Sequence, residues 1–285
     1  MALPGNPCIS STTAWKIQDQ KITFQQEQLA SETLLNLSIN DLKAYQLLYL
    51  PGQEIELSLG FLLASGVIEA TAEVVEMRLA PSDQSADRAY AQVQVRLAKT
   101  FDTKRDLSAL MADAVLTGAD SARQCLTAEQ FRKFPDPQVQ VTVAEILTLM
   151  ASLPQRQEIF RQTGATHAIF LAVAGGCEVV LGAEDVGRHN AFDKVIGQAL
   201  MKNIPTGDKI ALLSGRASFE MVFKAARAGI PLMASVSAPT SLAVRLAELQ
   251  GITLIGFARG DRLNIYSHPH RITDLGTHKK SHDEI

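Results

Sequence analysis

The 285-residue sequence predicts an α/β protein in two parts, and three observations carry that prediction. Strands and helices alternate through the second half, the grammar of βαβ crossovers and a mostly parallel sheet. The first half reads instead as short strands gathered round one helix. Between the two, composition shifts near residue 100 and Phe134-Pro135-Asp136-Pro137 is a strong break. We therefore expect a small N-terminal α/β domain over residues 1–110, an interdomain loop over 111–138, a C-terminal domain over 139–272 and a mobile tail over 273–285. At ~150 residues per domain the length is just under two.

Taken in order, residues 21–24 and 32–39 are β-like runs, Asn40-Asp41 is a turn signal and residues 45–50 resume an apolar run. Pro51-Gly52 breaks it. Ile55, Leu59, Leu62 and Leu63 then recur at helical spacing, with Gly66 suited to the helix end. Residues 72–79 and 91–97 are expected strands. In the second of these, Val93, Val95 and Leu97 alternate with polar neighbours. Residues 141–150 predict a helix. Residues 168–173 and 178–181 read as strands joined by a tight turn at Gly175-Gly176, and Phe192, Val195, Ile196 and Ala199 mark the next helix. Strands follow at 209–213, 232–237 and 252–256, separated by helices that end near Gly229 and Gly251, and residues 263–267 close the sheet.

Composition excludes several classes. Apolar residues make up 46% and charged ones 20%, which is the balance of a globular chain, and the net charge of −3 argues against a general nucleic-acid binder. No apolar run approaches the ~20 residues of a membrane span, and the N-terminus lacks the basic and apolar segments of a secretory signal. Cys8, Cys125 and Cys177 are too few and too scattered for a disulfide scaffold, which suits a reducing cytoplasm. Cys8 is expected in a mobile N-terminus and Cys177 in a structural turn. A zinc deaminase needs HxE and PCxxC; His167-Ala168-Ile169 lacks the Glu and the chain has no PCxxC. His268 and His270 have no cysteine or acid beside them that would complete a metal site.

The charge is uneven. Residues 181–272 hold 11 Lys and Arg against 7 Asp and Glu. Ser214-Gly215-Arg216, the segment 237–240 with Thr240, and Phe257-Ala258-Arg259-Gly260-Asp261-Arg262 each follow a strand, and in an α/β sheet such ends share the ligand-binding edge. The first two also open helices, whose free N–H groups favour anions. Gly215 permits close approach, and Arg216, Arg259 and Arg262 can grip phosphate through paired hydrogen bonds. The competing reading makes Ser214 and Thr240 ordinary caps and the arginines solvated. Three such loops on one edge favour a phosphate or nucleotide site.

Residues 184–194 crowd Glu184, Asp185, Arg188, His189, Asn190, Asp193 and Lys194 into a helix entrance. His189 is a candidate acid, base or ligand-positioning group. The alternative is structural, with Asp185 capping the helix and Arg188 paired with Asp193. His167, before an apolar strand, is either a ligand residue or a buried, hydrogen-bonded one. Cys125 lies beside Arg123, and a nearby cation raises a thiol's thiolate fraction; an inert surface thiol is the other reading.

The segment from Glu184 through Arg188-His189-Asn190 to Lys194-Val195-Ile196-Gly197 resembles the signature of the FdhD/NarQ family of formate dehydrogenase accessory sulfurtransferases. Leu50-Pro51-Gly52, Leu59-Gly60-Phe61-Leu62, Thr166-His167-Ala168, Ser214-Gly215-Arg216 through Glu220, Ser237-Ala238-Pro239-Thr240 and Tyr266-Ser267-His268-Pro269 match in order, over roughly residues 30–272. The resemblance implies a cytidine-deaminase-like, three-layer C-terminal domain without zinc, and a homodimer. It implies transfer of sulfur from a cysteine desulfurase to the molybdenum bis(pterin guanine dinucleotide) cofactor, bound as substrate and destined for formate dehydrogenase. A guanine nucleotide such as GDP then serves as a partial mimic. Phe257 to Arg262 matches the family's cofactor-binding hexapeptide, and the cofactor set extends to Ser214, Gly215, Arg216, Arg188, His189, His167 and Thr240. The family's loop carries a CxxC whose first cysteine bears the persulfide. Here only Cys125 is present, with Ala122 at the first position or, in the other register, Ala128 at the second. A binding protein that delivers the cofactor without moving sulfur, and a nucleotide-dependent transferase using His189, are the rival functions.

Overall fold

The computed structural model describes residues 6–80, 90–98 and 139–275, excluding the side chains of Lys43 and Ala44. The expected interdomain loop, with Cys125, lies outside the described residues. Strands β1 (Ile9–Gln18) and β2 (Lys21–Ala30) form a hairpin that pairs with neither other sheet. Sequence pattern alone places only residues 21–24 in a strand here. Ser10-Ser11-Thr12-Thr13 is polar and mostly exposed, so β1 has no buried alternate face to betray it. Strands β3 (Thr33–Ile39), β4 (Leu42–Tyr49), β5 (Val74–Ala80) and β6 (Tyr90–Leu97) make a sheet in the order β4-β3-β6-β5. Helix α1 (Glu54–Ala64) follows the Pro51-Gly52 break.

Cys8 is not loose. Its N–H donates to Asn6 Oδ1, its carbonyl accepts from Ser31 N, and its thiol donates to Pro51 O at 3.1 Å. Burial pushes that thiol's pKa up.

The second sheet has six strands in the order β12-β11-β10-β9-β7-β8. They are β7 (His167–Val173), β8 (Glu178–Asp185), β9 (Lys209–Leu213), β10 (Leu232–Ser235), β11 (Thr253–Arg259) and β12 (Arg262–Ser267). The expectation of a mostly parallel sheet is corrected here. Only β9–β10 and β10–β11 are parallel; β7–β8, β7–β9 and β11–β12 are antiparallel. The reason is connection length. The links 174–177 and 260–261 are hairpin turns, whereas a parallel return needs a dozen or more residues. The crossover after β8 then lands its strand beside β7 rather than β8, so β9 runs against its neighbour.

Helices cover both faces. Ile169, Leu171, Ala211 and Leu213 face a core shared with α1, α5 (Arg188–Met201), α6 (Phe219–Arg227) and α7 (Ser241–Gln250). Phe170, Ala172, Ile210 and Leu212 face the other core, filled by Ile146, Leu149 and Met150 of α2 (Val143–Ala151). Two short helices, α3 (Leu153–Arg156) and α4 (Glu158–Thr163), lead into β7. Thr273 and Asp274, expected to begin a mobile tail, are held: Thr273 N–H donates to Val141 O, and Asp274 accepts from Val143 N at 2.9 Å.

Helices α1 and α5 tie the first region to the second, and two glycines permit it. A Cβ on Gly60 would stand 1.8 Å from Asp193 O, and one on Gly197 1.9 Å from Glu56 O. Any side chain at either position would force the helices apart.

Candidate functional site

One edge of the six-stranded sheet gathers the start of β7, the end of β8 with the N-terminus of α5, and the ends of β9, β10 and β11. The pairings Ile169↔Leu213 and His167↔Asp185 set His167 level with the loop after β9 and the entrance to α5. Backbone contacts knit these loops. Ser214 N–H donates to Ala168 O, and Ser214 Oγ accepts from Ala168 N at 2.8 Å. Buried Ser235 donates its hydroxyl to Gly215 O at 2.6 Å and accepts from Ser237 N. Thr240 N–H donates to Ala217 O, and Phe257 N–H to Ser237 O. Gly256 lets the 237–240 loop lie against β11, where a Cβ would meet Pro239 Cδ at 2.8 Å.

The side chains divide into two groups. Ser214 and Thr240 serve the backbone: Thr240 caps α7, its hydroxyl accepting from Ala243 N at 3.3 Å. The capping reading holds for Thr240 alone: Ser214 opens no helix, because α6 starts at Phe219 after Ser218, and its hydroxyl ties the loop to β7. His167, Arg188, His189 and Arg216 instead gather in one cluster whose fixed positive charge comes from the two arginines. Burial, followed by the charges of Arg188, Arg216 and His189, holds the His167 imidazole below its ordinary pKa. The Gly215 backbone lies beneath that ring, a Cβ there standing 3.2 Å from Nδ1. Arg216 is exposed, and the Nε of Arg188 is buried with no hydrogen-bond partner among the described residues. The expected alternative pair Arg188–Asp193 does not form. Five residues along a helix leave two side chains on different faces, and Asp193 pairs with Lys224 of α6 instead.

Sequence reasoning did not single out Glu220 and Ser218. Glu220 Oε2 lies 3.7 Å from His189 Nε2 and accepts from Ser218 Oγ at 2.8 Å. His189 foremost, with Ser218, holds this carboxyl down at about 2. The signal was present as an acid in the first turn of a helix opened by Ser218.

Phe257 has φ of +52° and is half-buried, and Ala258 is fully buried, so the first two hexapeptide residues shape the strand bulge. Arg259 and Arg262 are exposed and pair across the β11–β12 turn around Gly260 and Asp261. Pairing of β11 with β10 ends at Ile255. At ~3.3 Å per residue the Arg259 backbone projects on the order of 13 Å past that point. These two arginines therefore extend the cationic edge outward rather than joining the His167 cluster.

The remaining motif residues face inward. Asp185, fully buried, accepts from Gly187 N and Asn190 Nδ2 through one oxygen, each at 3.0 Å, and from Leu50 N and Lys194 Nζ through the other. Lys194, 1% exposed, also donates to Leu50 O at 2.8 Å and lies over the Tyr49 ring. Asn190 donates to Leu48 O. Glu184 caps α4, accepting from Ile159 N, Phe160 N and Thr166 Oγ1. A cavity of about 720 Å3 opens beside Cys8, Gln53, Gly182 and Lys194, and none of the cluster side chains lines it. Among the described residues no group of three or more His, Cys, Asp or Glu could hold a metal ion, and no helix is long and apolar enough to cross a membrane.

A sequence profile of the FdhD/NarQ family matches residues 30–273. The chain is 39% identical to the sulfur carrier protein FdhD of Nocardia farcinica over 258 residues, 88% of this chain and 90% of that protein. It is 38% identical to the protein of that name from Bordetella parapertussis, over 87% of this chain and 88% of the other. A crystal structure ascribed to a formate dehydrogenase accessory protein from Desulfotalea psychrophila superposes with a TM-score of 0.73 at 25% identity, covering 94% of this chain and all of that one.

Proposed function

The chain belongs to the FdhD/NarQ family, and from that premise we propose that it is a cytoplasmic sulfur carrier that serves formate dehydrogenase. It takes sulfur from a cysteine desulfurase on Cys125 and passes it to the molybdenum bis(pterin guanine dinucleotide) cofactor held at the sheet edge. The cofactor is a substrate here. The C-terminal region takes the role of a cytidine-deaminase-like fold emptied of zinc, and two copies of the chain form a homodimer.

The observation that carries the cofactor half is the buried Nε of Arg188, which has no partner among the described residues, within the cluster of His167, His189 and Arg216. A buried donor without a partner is costly, and a phosphate oxygen supplies one. Arg188 and Arg216 grip the pyrophosphate, the Gly215 backbone approaches it, and α5 and α6 point their N-termini towards it. Arg259 and Arg262 hold the outer part of an extended dinucleotide. Ser214 and Thr240 hold the loops in shape, not the ligand. GDP binds as a fragment of the whole.

On the sulfur side, the Cys125 thiolate attacks the terminal sulfur of the desulfurase persulfide. A new S–S bond forms on Cys125 as the donor's S–S bond breaks and its cysteine leaves as thiolate, so no external oxidant is needed. A second reading rests on the single cysteine between residues 99 and 138, where the family carries a pair: the chain holds and delivers the cofactor without moving sulfur. Cys125→Ala separates the two. The proposal expects loss of cyanolysable sulfur after incubation with a desulfurase, and loss of formate dehydrogenase maturation, at unchanged thermal stability. Full maturation by that variant leaves only the delivery reading.

A further inference from the structure

The β1–β2 hairpin carries a surface that the proposed chemistry does not use. Its strands are ten residues each and, among the described residues, pair only with one another. A two-stranded hairpin is marginal in water unless another layer covers a face. One face has partial cover: Ala14, Gln25 and Glu27 are half-buried, and β2 packs against α4. The other is open and apolar at its tip. Trp15 stands opposite Phe24 and Ile17 opposite Ile22, and the four are 69%, 62%, 71% and 59% exposed. The Trp15 and Phe24 rings already touch, with centroids 4.4 Å apart. Single exposed apolar residues are ordinary on a protein surface; four in register on one strand pair form a contiguous patch.

We infer that this open face is where a second copy of the chain docks, tip against tip across a two-fold axis. Charge favours a copy over a foreign partner. Further along this face stand Thr13 and Gln26, while the hairpin's ionisable residues, Lys16, Lys21 and Glu27, lie on the opposite face and Asp19 in the turn. A face without charge brings no like charges together when it meets itself, and offers no charge pattern to select a different protein. An isologous contact needs only that self-complementarity. The exposed parts of the two aromatic and two isoleucine side chains amount to on the order of 500 Å2 per copy. Face to face this gives about 1,000 Å2 in total, where specific interfaces begin. The inference rests on the homodimer reading and deepens it by naming the surface.

The chain carries one tryptophan, and it is Trp15. Its emission therefore reports the hairpin face without labelling. Sedimentation velocity and fluorescence on the full chain from 0.5 to 100 μM, as about 200-fold dilution, should show mass rising from 30.9 kDa to twice that, with Trp15 emission moving to the blue in step. Ile17→Glu with Ile22→Glu keeps the Trp15–Phe24 pair and places like charges across the two-fold. That variant should stay monomeric, with red-shifted emission and an unchanged circular dichroism spectrum. A wild-type dimer whose Trp15 emission never shifts, or a variant that still dimerises, places the dimer contact elsewhere and overturns the inference while sparing the homodimer reading. A wild-type chain monomeric throughout overturns both. A blue shift only on adding phosphatidylcholine vesicles assigns the face to lipid and also overturns it. The wild-type titration alone decides between these outcomes even if the double variant fails to fold.

Discussion

Two ends of one motif behave oppositely. In residues 184–194, Asp185, Asn190 and Lys194 turn inward and commit their polar atoms to protein partners, bridging to Leu48 and Leu50 of the first region. Arg188 and His189, only a few residues away, turn to the sheet edge and join His167 and Arg216 in a cluster whose fixed positive charge comes from the two arginines. The difference teaches how to separate structure from function where both are polar. Buried charge with all its partners in the protein is architecture. Positive charge at a sheet edge that the protein itself balances only in part is what the proposed anion site rests on. Glu220 offsets only part of that charge, through His189.

The inward end gives the largest expected effect. Asp185→Ala leaves Lys194 buried, facing carbonyl oxygens alone, and removes the acceptor for Leu50 N and Asn190 Nδ2. Breaking one partner of a buried pair costs about 3–5 kcal/mol, so urea unfolding should show a loss of that size. Asp185→Ala with Lys194→Met should recover much of it, because no charge is then stranded. If the single variant unfolds like the wild type, the inward half of the motif is not architecture and the comparison fails.

That division was only partly legible in the sequence. The crowding of charge at a helix entrance was visible, and so were the loops after β9, β10 and β11, because strand–helix alternation is a local pattern. Which of Asp185, Arg188 and Lys194 faces inward is not visible, since the Leu50 groups that Asp185 and Lys194 bind lie 135 and 144 residues earlier in the chain. For the same reason the antiparallel setting of β7 escaped: no local pattern says beside which strand a crossover lands. Gly60 and Gly197 matched a family pattern, yet their purpose appears only when α1 and α5 meet. The cap at Thr240 is one of two readings the sequence offers, because a hydroxyl at a helix start uses its oxygen locally, whereas the bond from Ala168 N to Ser214 Oγ spans 46 residues and has no local sign. Cys125 is the motif cysteine on which the geometry bears least, as it lies outside the described residues.

The outward end gives the intermediate effect. A charge-assisted hydrogen bond is worth about 1.5–3 kcal/mol, so Arg188→Ala and Arg216→Ala should each weaken GDP binding about ten- to a hundred-fold, with unfolding midpoints near wild type. AMP measured beside GDP tests for a guanine pocket; equal affinities would reduce the site to a plain phosphate cradle. The pH dependence follows from His167. Its folded pKa lies below the ordinary imidazole value, so the neutral ring is favoured: the contribution to stability is present above pH ~6.5 and is lost as pH falls below it. An anion in the cluster opposes the Arg188 and Arg216 charges and raises that pKa. Calorimetry in buffers of different ionisation enthalpy should then show proton uptake on binding, and affinity rising from pH 8 to pH 6. His167→Ala should remove the His167 part of that slope. A pH-independent affinity in the wild type would mean that the ligand does not meet the cluster.

The smallest effect tests the boundary between the two kinds of residue at the edge itself. Thr240 sits on the loop after β10, exposed, yet its hydroxyl accepts from Ala243 N and its own N–H is bound to Ala217 O. If it is a cap and nothing more, Thr240→Ala should cost about 1 kcal/mol in unfolding free energy and leave GDP affinity within about twofold, roughly 0.4 kcal/mol. Thr240→Ser keeps the oxygen and should restore stability. The reverse pattern, unchanged stability with affinity lost in the alanine variant and recovered in the serine one, would move Thr240 into the binding set. It would also mean that a hydroxyl already accepting from a helix N–H can donate its own proton to the ligand, so that capping and binding are combined in one atom rather than divided between neighbouring residues, as they are along α5.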